Sequence, residues 1–416
     1  MKSNIAATWV ALACLTGVAS AQDHESPPLS LAEAVLIARD ADDPTIASWQ
    51  ARASAIEHRG EAAQALPDPA VRVGIANLPL SDLDPDREAM TQAQIGVRQS
   101  LPRGATRDLR RARSFAHADD ARARGALEER IMIRAVRVAW LEAFYWEHAA
   151  ELTRARREEI RQLSGVAMAM FASGSGNSHD VIRVDLETAL LDARLIEIDR
   201  QIGTARAQIA RYIGADAASR DLLDHLPPLP TLPREGVAAD ALAGHPAITG
   251  ANARVDASQR DIDLALEEYR PRWSVDAGYG VRGSRSDVAS VGVTMEMPLY
   301  SRRRQDEGVA GARDARTAEE LNRQALLLDL RRQLDEDWVR HSHLTDTAHS
   351  LENDVLMRAR ETTAAVLGAY ENEQADFAEL VRAELALLDI ELNLIRTRVD
   401  ALQAHSRILF LTGDVQ

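Results

Sequence analysis

Gly278-Tyr279-Gly280-Val281-Arg282-Gly283 has the glycine spacing with which a strand-to-helix turn cradles the pyrophosphate of a dinucleotide. That chemistry needs a helix opening directly after the glycines. The residues that follow alternate apolar and polar like another strand, so the match is one of letters only. Gly174-Ser175-Gly176 lacks the Gly-Lys-Ser/Thr ending of a phosphate loop, and no His-Glu-x-x-His occurs. Cys14 is the only cysteine, which removes cysteine clusters and any disulfide within one chain. His341, His343 and His349 invite a metal site, but on a helix the first two point about 200° apart, so they read as surface residues. Trp140, Phe144 and Tyr145 fall in a long helical stretch and read as packing. No catalytic set emerges, no cofactor is implied, and the chain is not expected to be an enzyme.

The elements that carry these residues have an unusual plan. With 4% aromatic and 27% charged residues, 416 residues read as long helices rather than a large globular core. Residues 1–21 carry one charge, Lys2, then an apolar run from Ile5 to Val18 and the small residues Ala19-Ser20-Ala21, the grammar of a secretory signal cut before Gln22. A rival reading makes Cys14 a lipidated N-terminus after Ala11-Leu12-Ala13. Loss of Lys2 with the signal takes the net charge from -15 to -16, too acidic for general nucleic-acid binding. No later apolar run approaches the roughly 20 residues of a membrane helix, so membrane crossing would have to use strands.

The sequence is written twice. Asp43-Pro44-Thr45-Ile46 with Ala51-Arg52 returns as His245-Pro246-Ala247-Ile248 with Ala253-Arg254, an offset of 202 that Pro69 and Pro271 keep. Glu187-Thr188-Ala189-Leu190-Leu191-Asp192 returns as Glu384-Leu385-Ala386-Leu387-Leu388-Asp389 at 197, and Tyr212-Ile213-Gly214 answers Leu411-Thr412-Gly413. The prolines of Leu226–Pro233 favour an extended linker. The reading is therefore a first unit over 22–225, a linker over 226–234 and a second unit over 235–416.

Each unit changes period twice. Ala47–Leu66 and Asn252–Glu268 read as helices. Strict alternation then predicts strands at about 70–77 and 92–99, and at 273–282 and 289–297. Each is near the ten residues or so that a tilted strand needs to cross a bilayer. Helical period resumes over Arg103–Phe171 and Arg302–Tyr370, rods of order 100 Å. The chain turns at Ala172–Asn177 and at Glu371-Asn372-Glu373-Gln374. The returning helices carry heptad spacing, Leu191, Leu195, Ile198, Ile202 and Ala205 in one, and Leu385, Leu388, Leu392, Ile395, Val399 and Leu402 in the other. Four amphipathic strands from one chain leave open edges that lipid does not tolerate, so other subunits must complete the sheet. Arg72, Arg98, Asp276, Arg282 and Glu296 would line its wet side.

This duplicated unit of helix, hairpin, long helix and return helix, opened by Leu29-Ser30-Leu31-Ala32-Glu33-Ala34 and closed by Leu411-Thr412-Gly413, resembles the TolC family of outer-membrane efflux proteins over essentially the whole mature chain. The resemblance implies a mostly α protein with a β-barrel portion. Three copies would form a homotrimer, with a twelve-stranded barrel in the outer membrane and an α-helical barrel in the periplasm. Its partners would be outer-membrane lipid, a periplasmic adaptor and an inner-membrane pump of the RND type. It also implies that acids just after the periplasmic turns narrow the entrance. By position these are Asp180 and Glu379, with Arg183 and Arg382 three residues on, where the family can carry a second acid; this favours salt-bridge locking. Leu66-Pro67-Asp68-Pro69, Asn77-Leu78-Pro79 and Gln99-Ser100-Leu101-Pro102-Arg103-Gly104 look like the CzcC-like branch, which implies heavy-metal cations as cargo. Drugs, other organic compounds or type I secretion are the alternatives, and an exported coiled-coil scaffold is a more distant one.

Overall fold

The computed structural model describes residues 27–81, 83–173, 177–283, 285–372 and 374–413. The expected signal, Cys14, the turn glycines Gly174 and Gly176, and Glu373 lie outside these residues.

The first unit contains α1 (Leu31–Asp40), α2 (Pro44–Gln64), β1 (Ala70–Ala76), β2 (Gln92–Leu101), α3 (Thr106–Ser173), α4 (Ser178–Ile213) and the one-turn α5 (Ala215–Ala218). The second contains α6 (Glu235–Ala241), α7 (Pro246–Glu267), β3 (Arg272–Val281), β4 (Val288–Glu296), α8 (Ser301–Ser350), α9 (Met357–Glu371) and α10 (Phe377–Thr412). α2 and α7 start earlier than their apolar spacing suggests. Asp43 and His245 cap them by accepting from Thr45 N (2.7 Å) and Ala247 N (3.2 Å), and Pro44 and Pro246 occupy the first turn, where a missing N–H costs nothing.

α3 spans 68 residues, about 100 Å, without a proline. It begins at Thr106 rather than Arg103 because Pro102 precedes it and Gly104 sits at φ +39°. Its counterpart is not one uninterrupted α-helix: a π turn over Leu351–Leu356 joins α8 to α9. α4 and α10 both have 36 residues, and both their starts and ends are offset by 199. By helix position Glu187 therefore corresponds to Ala386, two residues beyond the Glu384 of the sequence match.

The rods lie side by side. α10 packs against α8 and α9 on one flank and against α3 on the other, and α3 packs against α4. Nearer the sheet, α2 packs on α3, α3 on α7, and α7 on α8. The core under these contacts includes Trp140, Leu141, Phe144 and Val399. The Trp140 Nε1–H donates to the Leu29 carbonyl at 3.1 Å, pinning the first described segment to the rod. Trp140 and Phe144 are thus packing residues.

Candidate functional site

The four strands form one antiparallel sheet in the order β1-β2-β3-β4, with β2 against β3 joining the two units. The registers set Arg72 opposite Gly96, Gly96 opposite Gly278, and Gly278 opposite Ser290. Directly opposed residues share a face, so all even-numbered strand residues lie on one side and all odd-numbered ones on the other. The even side holds Arg72, Gln94, Arg98, Asp276, Ser290 and Glu296. Arg98 stands 3.8 Å from Asp276 across β2 and β3, and Arg272 stands 3.9 Å from Glu296 across β3 and β4. The odd side holds Val71, Val73, Ile75, Ile95, Val97, Val275, Val291, Val293 and Met295, all exposed. Trp273 and Tyr279 are the aromatic residues of this apolar band on β3, with Trp273 at its end beside the rods.

Arg282 departs from the expected strand. It lies one residue beyond β3, where its Nε donates to the Ser286 carbonyl at 2.7 Å and its N–H to Asp287 Oδ1 at 3.3 Å. These two acceptors hold it in the hairpin turn. The glycines of the dinucleotide-like motif lie in β3 and this turn, and the next element is β4, not a helix.

At the far end of the rods, Asp180 and Glu379 both sit in the first turn of a returning helix, where the helix dipole favours carboxylates. Asp180 Oδ1 is 3.3 Å from His179 Nε2. Asp376 caps α10 by accepting from Glu379 N at 2.7 Å. The Arg382 guanidinium donates to the Ala378 carbonyl at 3.0 Å. Among the described residues, neither Arg183 nor Arg382 forms an ion pair with Asp180 or Glu379 within one chain.

Two contacts near this tip had no sequence signal of their own. The Tyr370 hydroxyl donates to Met170 Sδ at 3.2 Å, tying the ends of both long rods together. Burial pushes the Tyr370 phenol up, and the Asp180 charge adds to this. Further along, Arg156 of α3 reaches Glu384 and Glu391 of α10, while Arg360 of α9 meets Glu391 at 3.2 Å. Burial raises the Glu384 carboxyl despite Arg156. Heptad spacing places Glu384 and Glu391 on one helical face, but only the packing of α3 against α10 shows what that face meets.

The histidines divide. His343 is exposed, and His349 lies beside Asn353. His341 is half-buried against Trp338 and His405, which corrects its reading as a plain surface residue. Among the described residues no three His, Cys, Asp or Glu side chains gather for a metal, and no helix is long and apolar enough to cross a membrane.

The architecture is shared with solved membrane proteins. The chain is similar to the outer-membrane channel OprN, with 16% identity, a TM-score of 0.77, and 92% of this chain and 90% of that one covered. It is similar to the outer membrane protein VceC from Vibrio cholerae, with 14% identity, a TM-score of 0.77, and 93% and 97% covered. A membrane protein from Pseudomonas aeruginosa gives 14% identity, a TM-score of 0.80, and 92% and 90% covered. No family model matches the chain, and no curated protein matches it by sequence. At these identities the likeness establishes the fold, which is that of outer-membrane channels of the TolC type.

Proposed function

We propose that this chain is the outer-membrane channel subunit of a tripartite efflux system, three copies of which close into one duct. The observation that carries this is where each layer of the molecule stops. The sheet ends on β1 and β4, the layer beside it ends on α2 and α8, and the rods end on α4 at one side and on α8 and α9 at the other. Every layer therefore presents the first unit at one edge and the second unit at the other. The contacts that join the units inside one chain, β2 to β3, α3 to α7 and α3 to α10, are the kind those free edges can make with further copies. Such head-to-tail contacts close into a ring when the rotation between copies closes, and a sheet in lipid favours the closed form because it leaves no open edge. With three copies, twelve strands complete a barrel that leaves no edge in lipid.

The sheet supplies the orientation. Val73 and Val291 are 76% and 80% exposed in a continuous apolar band, a surface that lipid would cover. A coiled-coil scaffold living free in the periplasm would have no use for it. The opposite face, with Arg72, Arg98, Asp276 and Glu296, would then border the water of the lumen, and Asp180 and Glu379 would form rings at the periplasmic mouth. Such a duct moves solutes without catalysis or a resident cofactor. It would need an adaptor and an inner-membrane pump, for which an RND-type pump is our reading. Heavy-metal cations are our choice of cargo, on the sequence resemblance of the segments flanking β1 and β2, with drugs and other organic compounds as the alternative.

The deciding measurement is the detergent-corrected molar mass of protein extracted from outer membranes. Three chains per particle are expected. A monomer that salt releases, absent from the outer-membrane fraction, would overturn the channel and leave the scaffold.

A further inference from the structure

The rings of His341 on α8 and His405 on α10 stand edge to face, with centroids 5.4 Å apart and planes at 77°. His405 Nε2 lies 2.7 Å from the Pro230 carbonyl oxygen. A carbonyl only accepts, so Nε2 carries the proton and Nδ1 keeps its lone pair. Among the described residues, no carboxylate pairs with either ring, and neither His405 Nδ1 nor the His341 ring has a hydrogen-bond partner. The two imidazoles thus meet edge to face, and each keeps a ring nitrogen without a hydrogen-bond partner among the described residues.

We propose that His341 and His405 form a binding site for a divalent transition-metal cation such as Zn2+, completed by water. Two imidazoles on one tetrahedral zinc hold their centroids about 5 Å apart, because Zn–N is about 2.0–2.1 Å and each centroid lies roughly 1.2 Å further back. The observed pair already has that spacing. A zinc-bound histidine characteristically donates its other N–H to a carbonyl or carboxylate, which fixes the tautomer, and Pro230 supplies that acceptor to His405. Burial holds both histidines below their usual range; for His405 the Pro230 carbonyl opposes this, while His341 and Arg137 add to it. Neutral imidazole is the form that ligates.

An open pocket lined by Trp338, His341, Ser342, Thr345 and Asp346 borders the His341 side and gives water and the ion a route in. The buried Arg137 guanidinium near His405 opposes a cation, so the site should bind more weakly than a four-ligand structural zinc. A bound ion would staple α8 to α10 where the linker crosses them. None of this depends on the channel reading or on the cargo.

The test uses untagged, detergent-solubilised protein and Zn2+ in competition with a chromophoric chelator. One Zn2+ per chain is expected. His341→Ala and His405→Ala should each weaken it at least about tenfold, while His343→Ala on the same helix leaves it unchanged. Should a variant fail to fold, the wild-type protein gives a second readout: Zn2+ should protect His341 from diethyl pyrocarbonate while His343 reacts as before. Absence of stoichiometric binding, binding that survives both replacements, or no protection of His341 would each overturn the site.

Discussion

Gly214 and Gly413 end α4 and α10 in the same rare backbone conformation, φ 83° with ψ 158° and φ 86° with ψ 157°. This region is open almost only to glycine. Nothing lies within 4 Å of where a Cβ on Gly214 would stand, so alanine there meets backbone strain alone. Gly214→Ala is expected to lower stability by about 1–3 kcal/mol. Gly203→Ala, inside α4 and equally uncrowded, should raise it by about 0.4–1 kcal/mol. Denaturation midpoints of the two variants check this, and equal shifts would show that Gly214 is unstrained.

Val291 and Ser290 are neighbours on β4 that point to opposite faces of the sheet. An arginine on a lipid-facing strand position costs about 2–4 kcal/mol at mid-membrane. Val291→Arg should therefore reduce the protein recovered in washed outer membranes. Ser290→Arg should assemble normally and change conductance instead. Equal recovery of both would remove the assignment of faces.

His245 is buried at the start of α7, where Nδ1 must stay unprotonated to accept from Ala247 N. Burial, with Arg130 nearby, pushes its pKa down to about 4 from 6.5. The folded state thus refuses a proton that the unfolded chain takes up. Its contribution to stability is full above pH 6.5 and is lost as pH falls toward 4, at up to about 1.4 kcal/mol per pH unit. His245→Asn keeps a capping oxygen and removes the titration. Unfolding midpoints between pH 7 and 4 should fall more steeply for the wild type than for the variant.

Asp180 and Glu379, brought into rings at the mouth of a threefold duct, would favour cations. Asp180→Asn with Glu379→Gln should shift the reversal potential in a salt gradient toward anions and alter single-channel current in planar bilayers. Unchanged selectivity and conductance would remove these acids from the entrance.

The strands were legible because each has one polar and one apolar face, and the alternation at Trp273–Val281 and Ala289–Met295 is a direct image of that division. The rods were legible from the absence of proline and the heptads of α10. What sequence could not show was contact between distant segments. Nothing in the local sequence sets Arg156 apart from the other charges of α3, yet α10 places Glu384 and Glu391 beside it. His341 looked solvated because its partner is 64 positions away, on another rod. Arg282 continued the alternation of β3 by letter, yet Ser286 and Asp287 draw it into the turn. Asp180 and Glu379 were chosen through the family resemblance and lie in the first turns of α4 and α10, whereas their partners depend on which helices surround them.

The π turn at Leu351–Leu356 makes the two rods mechanically unequal. α3 runs uninterrupted, so it resists flexing along its whole length. The second rod has one widened turn, and widened turns are where helices kink. Leu351 and Leu356 within it, and Ala348 and Ala359 on either side, stay seated on Leu387, Ile390 and Leu394 of α10. Lateral load on the tip would therefore be taken up as elastic bending at this point in the second unit, while the first acts as a stiff strut.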